Sequence, residues 1–220
     1  MPDIRTLPVT AELIDYAVAH GSWPVDDVLA DLQAETAALG RVAGMQVGPD
    51  EGQLLTLLTR LVDARRAVEV GTFTGYSSLC IARGLAPGGS LLCCDVSEEW
   101  TALGRRAWER AGVADRIELR IAPAIETLRA LPADEPIDLA FIDADKPGYV
   151  GYWEELVPRV RPGGLLLADN VLWSGEIANP ERTDENTEAL RAFNDRVAAD
   201  DRVEAAVLPA FDGLTIARKG

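Results

Sequence analysis

Two short segments end an apolar run on side chains that can ligate a cation or move a proton. "LAFIDADKPGY" (139–149) ends on Asp143, Asp145 and Lys146, and "GGLLLADNVLW" (163–173) ends on Asp169 and Asn170. If both runs are neighbouring parallel strands joined by the helical segment between them, a βαβ crossover brings their carboxyl ends to one edge of the sheet. Strands lie about 4.8 Å apart, so the carboxylates of Asp143 and Asp169 would sit within a few ångströms of each other. Unpaired carboxylates that close repel. A hard divalent cation, bound by oxygen at about 2.0 to 2.6 Å, relieves the repulsion, with the Asn170 amide oxygen as a third, neutral ligand and further positions left open. Mg²⁺ is the first expectation, and Mn²⁺ or Ca²⁺ suits the same oxygens. Lys146, three residues after Asp143, would reach a hydroxyl that ligates the ion and favour its deprotonation. The alternative for both aspartates is simple capping of strand ends.

A second motif, "VEVGTFTGYSS" (68–78), reads as a strand, a glycine-bearing turn and a helix start. Gly71 and Gly75 let the backbone approach a ligand, and the helix start offers free N–H groups. No Lys-Ser or Lys-Thr follows Gly75, and Phe73 stands where a dinucleotide fingerprint needs its second glycine, so phosphate is not the indicated ligand. Glu69 in the first strand and Asp95 at the end of the next place carboxylates beside the turn, Asp95 at the distance where nucleotide folds hold ribose hydroxyls. Negative groups there suit a cationic, phosphate-free nucleoside, and S-adenosylmethionine, a sulfonium, is such a ligand.

The elements that must position these residues follow from the pattern. From Val9 to about Ala64 the apolar spacing is helical, predicting an arm of two or three helices over residues 1–64. From residue 65 to 220, five short apolar strands, "RAVEVG", "SLLCCD", "RIELRI", "IDLAFID" and "GGLLLAD", alternate with helical segments, the α/β signature. Ser97 caps one helix, and Pro147 suits the first turn of another. "RVEAAVLP" and "GLTIARK", joined by "AFD", must form an antiparallel hairpin. The expectation is therefore one domain, α/β in class: a Rossmann-like, seven-stranded, mostly parallel sheet with an antiparallel C-terminal hairpin, helices on both faces and an N-terminal helical arm. The polar stretch 174–187 is expected to border the acceptor pocket.

Composition narrows the partners. The 220 residues carry 21 Lys and Arg against 36 Asp and Glu, a net charge of −15 that repels phosphate backbones and speaks against nucleic acid. No apolar run approaches the roughly 20 residues of a membrane span, and Met1 to His20 does not read as a secretory signal, so no membrane partner is expected and the cytoplasm is the expected compartment. Of the three cysteines, Cys93 and Cys94 are strand neighbours facing opposite ways, and all three read as buried thiols. The single histidine, His20, argues against His-based zinc or triad chemistry.

These motifs, with "MQVGPDEGQLL" (45–55), "FIDADKPGYVGYW" (141–153) and "FDGLTIARK" (211–219), resemble the caffeoyl-CoA O-methyltransferase family and its catechol O-methyltransferase relatives, from about Met45 to the C-terminus. The resemblance implies a cation-dependent, S-adenosylmethionine-dependent O-methyltransferase. It implies cofactor contacts at Val47, Glu69, Gly71, Thr72, Ser77, Asp95, Ala124, Asp143 and Asp145. Asp143, Asp169 and Asn170 would hold the metal, Lys146 would be the catalytic lysine, and a homodimer is implied. Plant members that take CoA esters have an asparagine where Ser174 stands, and the arm has no basic cluster for a CoA phosphate. A small vicinal-dihydroxy phenol is therefore the expected acceptor, packed by Trp173 or Trp153. Two other readings remain open: a nicotinamide-dependent oxidoreductase and a non-catalytic S-adenosylmethionine-binding protein.

Overall fold

The computed structural model describes residues 7–132 and 134–220; the first six residues of the expected arm lie outside the described residues. The arm contains α1 (Ala11–His20), α2 (Asp27–Ala37) and α3 (Pro49–Leu61), with a short 3-10 turn at Gly40–Met45. Thr10 and Asp26 cap the first two helices by accepting from backbone N–H groups three residues on.

Seven strands follow: β1 (Arg66–Val70), β2 (Ser90–Asp95), β3 (Ile117–Ile121), β4 (Ile137–Ile142), β5 (Val160–Ala168), β6 (Val203–Leu208) and β7 (Leu214–Lys219). Between them lie α4 (Tyr76–Gly84), α5 (Glu98–Arg110), α6 (Ala124–Arg129), α7 (Tyr149–Leu156) and α8 (Glu185–Ala198). The sheet order is β3-β2-β1-β4-β5-β7-β6, parallel except where β7 pairs antiparallel with both β5 and β6. The hairpin thus inserts its second strand against β5 and leaves the first at the edge. Two boundaries and one element differ from the sequence pattern. β5 starts at Val160, three residues before Gly163; α8 starts at Glu185, inside the polar stretch, because Asp184 caps it; and the six-residue α6 is too short to show a helical period.

Strand alternation feeds two cores. Val68, Val70 and Cys94 face α6, α7 and α8 around Trp153 and Phe193, while Ala67, Cys93 and Phe141 face α2 to α5 around Leu55, Leu79 and Trp108. All three cysteines are buried and free. No described helix is long and apolar enough to cross a membrane.

The register decides what meets at the carboxyl edge. Ile142 pairs with Ala168, and Val70 pairs with both Cys94 and Ile142. The ladder runs one residue further: Gly71 N–H donates to Cys94 O at 2.9 Å, Asp143 N–H to Val70 O at 2.8 Å and Asp169 N–H to Ile142 O at 3.0 Å. Gly71, Asp95, Asp143 and Asp169 therefore stand side by side where the strand order reverses, the place at which open α/β sheets bind ligands. The β6–β7 loop reaches the same edge, because Val171 N–H donates to Gly213 O and Leu172 N–H to Asp212 O, both at 3.0 Å.

Candidate active site

The cleft over this edge has a volume of about 1330 Å³ and is walled by α3, the glycine turn, the β4 and β5 ends and the β6–β7 loop. The glycine turn is held by Asp95. Its Oδ2 accepts from the N–H groups of Thr72 and Phe73 at 2.9 and 2.8 Å, and its Oδ1 from Ser97 N–H at 2.8 Å. That bracing holds Phe73 at φ 50°, a left-handed conformation that the missing second glycine would otherwise be needed for. Gly71 has φ 89°, and a Cβ there would lie 1.9 Å from the Asp143 carbonyl oxygen, so only glycine lets β1 and β4 end this close together. Phe73 meets Trp100 edge to face at 5.2 Å, giving the Asp95 side of the cleft an aromatic wall.

At the other end, Lys146 is buried and gives its three hydrogens to oxygen. Nζ lies 2.7 Å from Asn170 Oδ1, 2.7 Å from the Tyr149 hydroxyl and 3.2 Å from Asp143 Oδ1. The Tyr149 hydroxyl donates onward to the Asp169 carbonyl at 3.0 Å, and Asn170 Nδ2 donates to Asp169 Oδ2 at 2.9 Å. Asn170 adopts φ 59°, which asparagine tolerates and which turns its amide oxygen toward Lys146. The amine also lies 5.6 Å from the centre of the Trp173 ring.

The electrostatics show an edge overloaded with negative charge. Burial pushes the Asp169 carboxyl up to about 7, with the Asp143 charge adding to it and the Asn170 backbone N–H and Lys146 opposing. Asp143 is raised by burial first, against the relief of Lys146. Glu51, on the first turn of α3, is pushed up to about 9 by burial and then by Asp169, Asp143 and Asp50. Among buried side-chain atoms, Glu51 Oε1, Thr72 Oγ1 and Asp169 Oδ1 all lie on this cleft and have no hydrogen-bond partner, a condition that native interiors rarely leave uncompensated. Among the described residues no three His, Cys, Asp or Glu side chains are grouped to hold a metal ion. The donor set here is two carboxylates and an amide oxygen, which suits a hard cation that keeps water or substrate oxygens for its remaining positions.

Of the residues expected at the site, Val47, Gly71, Thr72, Ser77, Asp95, Ala124, Asp143, Asp145, Lys146, Asp169 and Asn170 all line the cleft. Glu69 does not. β1 points it to the α4 side, fully buried, where it accepts from the Ser78 hydroxyl and where burial pushes it up to about 7. Trp173 lines the cleft, whereas Trp153 is in the core with its indole N–H on Asp200 at 2.9 Å. Of the stretch 174–187, Asn186 reaches the cleft wall. Glu51, Tyr149 and Asp212 were not singled out from the sequence. Glu51 stands in the "GPDEG" segment, where an acidic residue reads simply as complementing the helix dipole.

Comparison with known proteins bears on this geometry. A family model described as "O-methyltransferase" matches residues 20–220. The mouse catechol O-methyltransferase domain-containing protein 1 is 41% identical over 173 residues, covering 77% of this chain and 66% of that protein. The Dictyostelium discoideum probable caffeoyl-CoA O-methyltransferase 2 is 36% identical over 215 residues, 94% of this chain and 91% of that one. Among solved structures, the Bacillus cereus O-methyltransferase in complex with SAH superposes with a TM-score of 0.87 at 32% identity, covering 95% of this chain and 97% of that one. A match spanning both the glycine turn and the two aspartate-bearing strand ends leaves one conclusion: the chain belongs to the O-methyltransferase family.

Proposed function

We propose that the protein transfers the methyl group of S-adenosylmethionine to one hydroxyl of a catechol-like phenol, assisted by a divalent cation. The observation that carries this reading is the meeting of Asp143, Asp169, Asn170 and Lys146 at the strand edge that also carries Gly71 and Asp95. Thr72, Ser77 and the α4 N-terminus would receive the charged methionine portion of the cofactor, and Asp95 with the Phe73–Trp100 wall the nucleoside. Asp143, Asp169 and Asn170 would hold the cation, Mg²⁺ before Mn²⁺ or Ca²⁺, and when bound it would lower the pKa of a chelated hydroxyl while the sulfonium supplies the methyl group.

The chain's own residues do the rest. Lys146 donates all three of its hydrogens, so its role is that of a positive charge beside the acceptor oxygen, stabilising the phenolate once its proton has left to solvent water. Tyr149 fixes that amine by accepting from it while anchored on the Asp169 carbonyl. The reading extends to a cytoplasmic homodimer with a small-molecule partner and no nucleic acid or membrane, in keeping with a net charge of −15.

The test is a radiolabelled methyl-transfer screen over catechols, hydroxycinnamates and their CoA esters, with and without divalent metal. Turnover of a free catechol that stops in EDTA and returns with Mg²⁺ is expected. Undiminished turnover in EDTA would remove the cation from the mechanism, and transfer confined to CoA esters would overturn the acceptor.

A further inference from the structure

We propose that the protein carries a second ligand site outside the cleft, a cavity between the α1–α2 linker, α3 and α4 that takes a small planar aromatic monocarboxylate, held by Arg60 and Tyr76. The inference stands apart from the methyl-transfer reading. The cavity has a volume of about 440 Å³, within the range of small-molecule sites. Of the residues on its wall, Tyr76 alone also lines the cleft.

The walls are fixed by the chain itself. Gln53 Nε2 donates to Val18 O at 2.9 Å and to Trp23 O at 2.8 Å, which ties the linker to α3. Asp26, the cap of α2, accepts from Arg83 Nη2 at 2.6 Å, which ties α2 to α4. A Cβ on Gly52 would lie 2.8 Å from both the Cys80 sulfur and the Tyr76 ring, so glycine there lets α3 and α4 meet along one wall. A pocket held in this way loses little freedom when a ligand enters.

The charge on this wall is opposite in sign to that of the cleft. Arg60 and Arg83 stand against one carboxylate, Asp26, whereas carboxylates dominate the cleft, in a chain of net charge −15. Arg83 is engaged by Asp26, but Arg60 pairs with no carboxylate among the described residues. Its guanidinium stands 5.0 Å from the centre of the Trp23 ring, and a single hydrogen bond to Arg83 O, at 3.4 Å, leaves most of its donors free. Tyr76 supplies a second group. Its side chain is 2% exposed, its hydroxyl has no hydrogen-bond partner among the described residues, and burial holds the phenol well above its ordinary value, so it stays protonated and able to donate. A guanidinium fork matches the two oxygens of a carboxylate, and one unpaired guanidinium balances one negative charge. A phosphate dianion would find Arg83 already taken, and an ammonium would be repelled. Trp23, Pro24, Leu29 and Pro49 give a ring an apolar surface to pack on.

The experiment is isothermal titration of the full chain with 1-naphthoate, its neutral amide and 1-naphthylmethylamine, without and with saturating S-adenosylhomocysteine and Mg²⁺. The carboxylate is expected to bind about fivefold more tightly than the amide, the upper range for an ion pair at a solvent-exposed guanidinium, and the amine to bind most weakly. Raising the salt should narrow the difference. R60Q should abolish the preference for carboxylate over amide, and Tyr76→Phe should weaken the carboxylate by a few-fold through one lost donor, with circular dichroism confirming the fold. Arg60 is exposed, so R60Q keeps the decision open even if the Tyr76 variant does not fold. Carboxylate binding that persists with S-adenosylhomocysteine and Mg²⁺ present is expected, because the cavity is separate from the cleft. Displacement by them would put the ligand in the cleft and overturn the proposal. Equal affinity for acid and amide, a preference that survives R60Q, or no saturable binding of the carboxylate would overturn it too.

Discussion

The ammonium of Lys146 lies 2.7 Å from Asn170 Oδ1 and 3.2 Å from Asp143 Oδ1, so one side chain engages two of the three oxygens proposed to hold a cation. A divalent ion held there, as proposed, would compete with the lysine for the same acceptors.

That competition has a test. Lys146→Ala should lower kcat by about 10² to 10⁴, the range for losing a positioned charge or proton-transfer group. It should at the same time tighten divalent-ion binding, because the carboxylates lose their internal counter-charge. Isothermal titration with Mn²⁺ decides it: weaker ion binding in the variant would mean that Lys146 supports the site rather than competes for it.

Asp169→Ala removes one of the proposed cation ligands without touching the glycine turn. Ion affinity is expected to fall by at least about tenfold, in the range seen when a metal-site group is lost, while S-adenosylhomocysteine binding changes little. Calorimetry with each ligand separates the two, and a parallel loss of both would show that the two ends of the cleft are not independent.

The raised carboxyls make a statement about stability and pH. Asp169 and Glu69 are pushed up to about 7 and Glu51 to about 9, well above their ordinary values of 3.8 and 4.5. A group raised in the folded state binds more protons there than in the unfolded chain, so its contribution is complete below the ordinary carboxylate range and is lost as pH rises through the folded value. Without divalent ion, Tm should therefore fall between about pH 5 and pH 9. Saturating Mg²⁺ should flatten the part of the fall that comes from Asp169 and Glu51 on the cleft and leave the part from Glu69 unchanged. Asp200 works the other way, held low by Arg202, but its contribution is lost only in acid. Thermal scans across this range, with and without Mg²⁺, supply the comparison; a Tm that rises toward pH 9 would contradict the burial of these acids.

Gly71→Ala should be costly for two reasons at once: φ is 89°, and the new methyl group would lie 1.9 Å from the Asp143 carbonyl oxygen. A left-handed non-glycine residue and a backbone clash each cost about 1 to 3 kcal/mol. Denaturant unfolding should show that loss, and ion affinity should fall with it as Asp143 is displaced. A stable variant with normal ion binding would mean the two strand ends can part without consequence.

Much of this site was legible because its carboxylates close apolar strands. The runs ending at Asp143 and Asp169 announced both their secondary structure and their shared edge, and Asn170 and Lys146 came with them by adjacency. Glu69 was legible in part. Strand alternation sets it opposite Val68 and Val70, hence toward α4 and away from the cleft. Glu51 was not legible, since an acid in a first helical turn is usually solvated, and its burial depends on how α3 docks against strand ends far along the chain. Asp95 acts through two N–H groups of a turn that sequence spacing alone cannot shape, and it explains how Phe73 holds a left-handed backbone.

The β6–β7 loop clasps the segment after Asn170 by two backbone hydrogen bonds, with Gly213 packed so tightly on Leu172 that no side chain would fit there. During synthesis on the ribosome, the loop carrying Asn170 emerges some forty residues before the piece that secures it. The segment after Asn170 is therefore fastened only once β7 stands between β5 and β6, so the last strand made is the one that completes the edge.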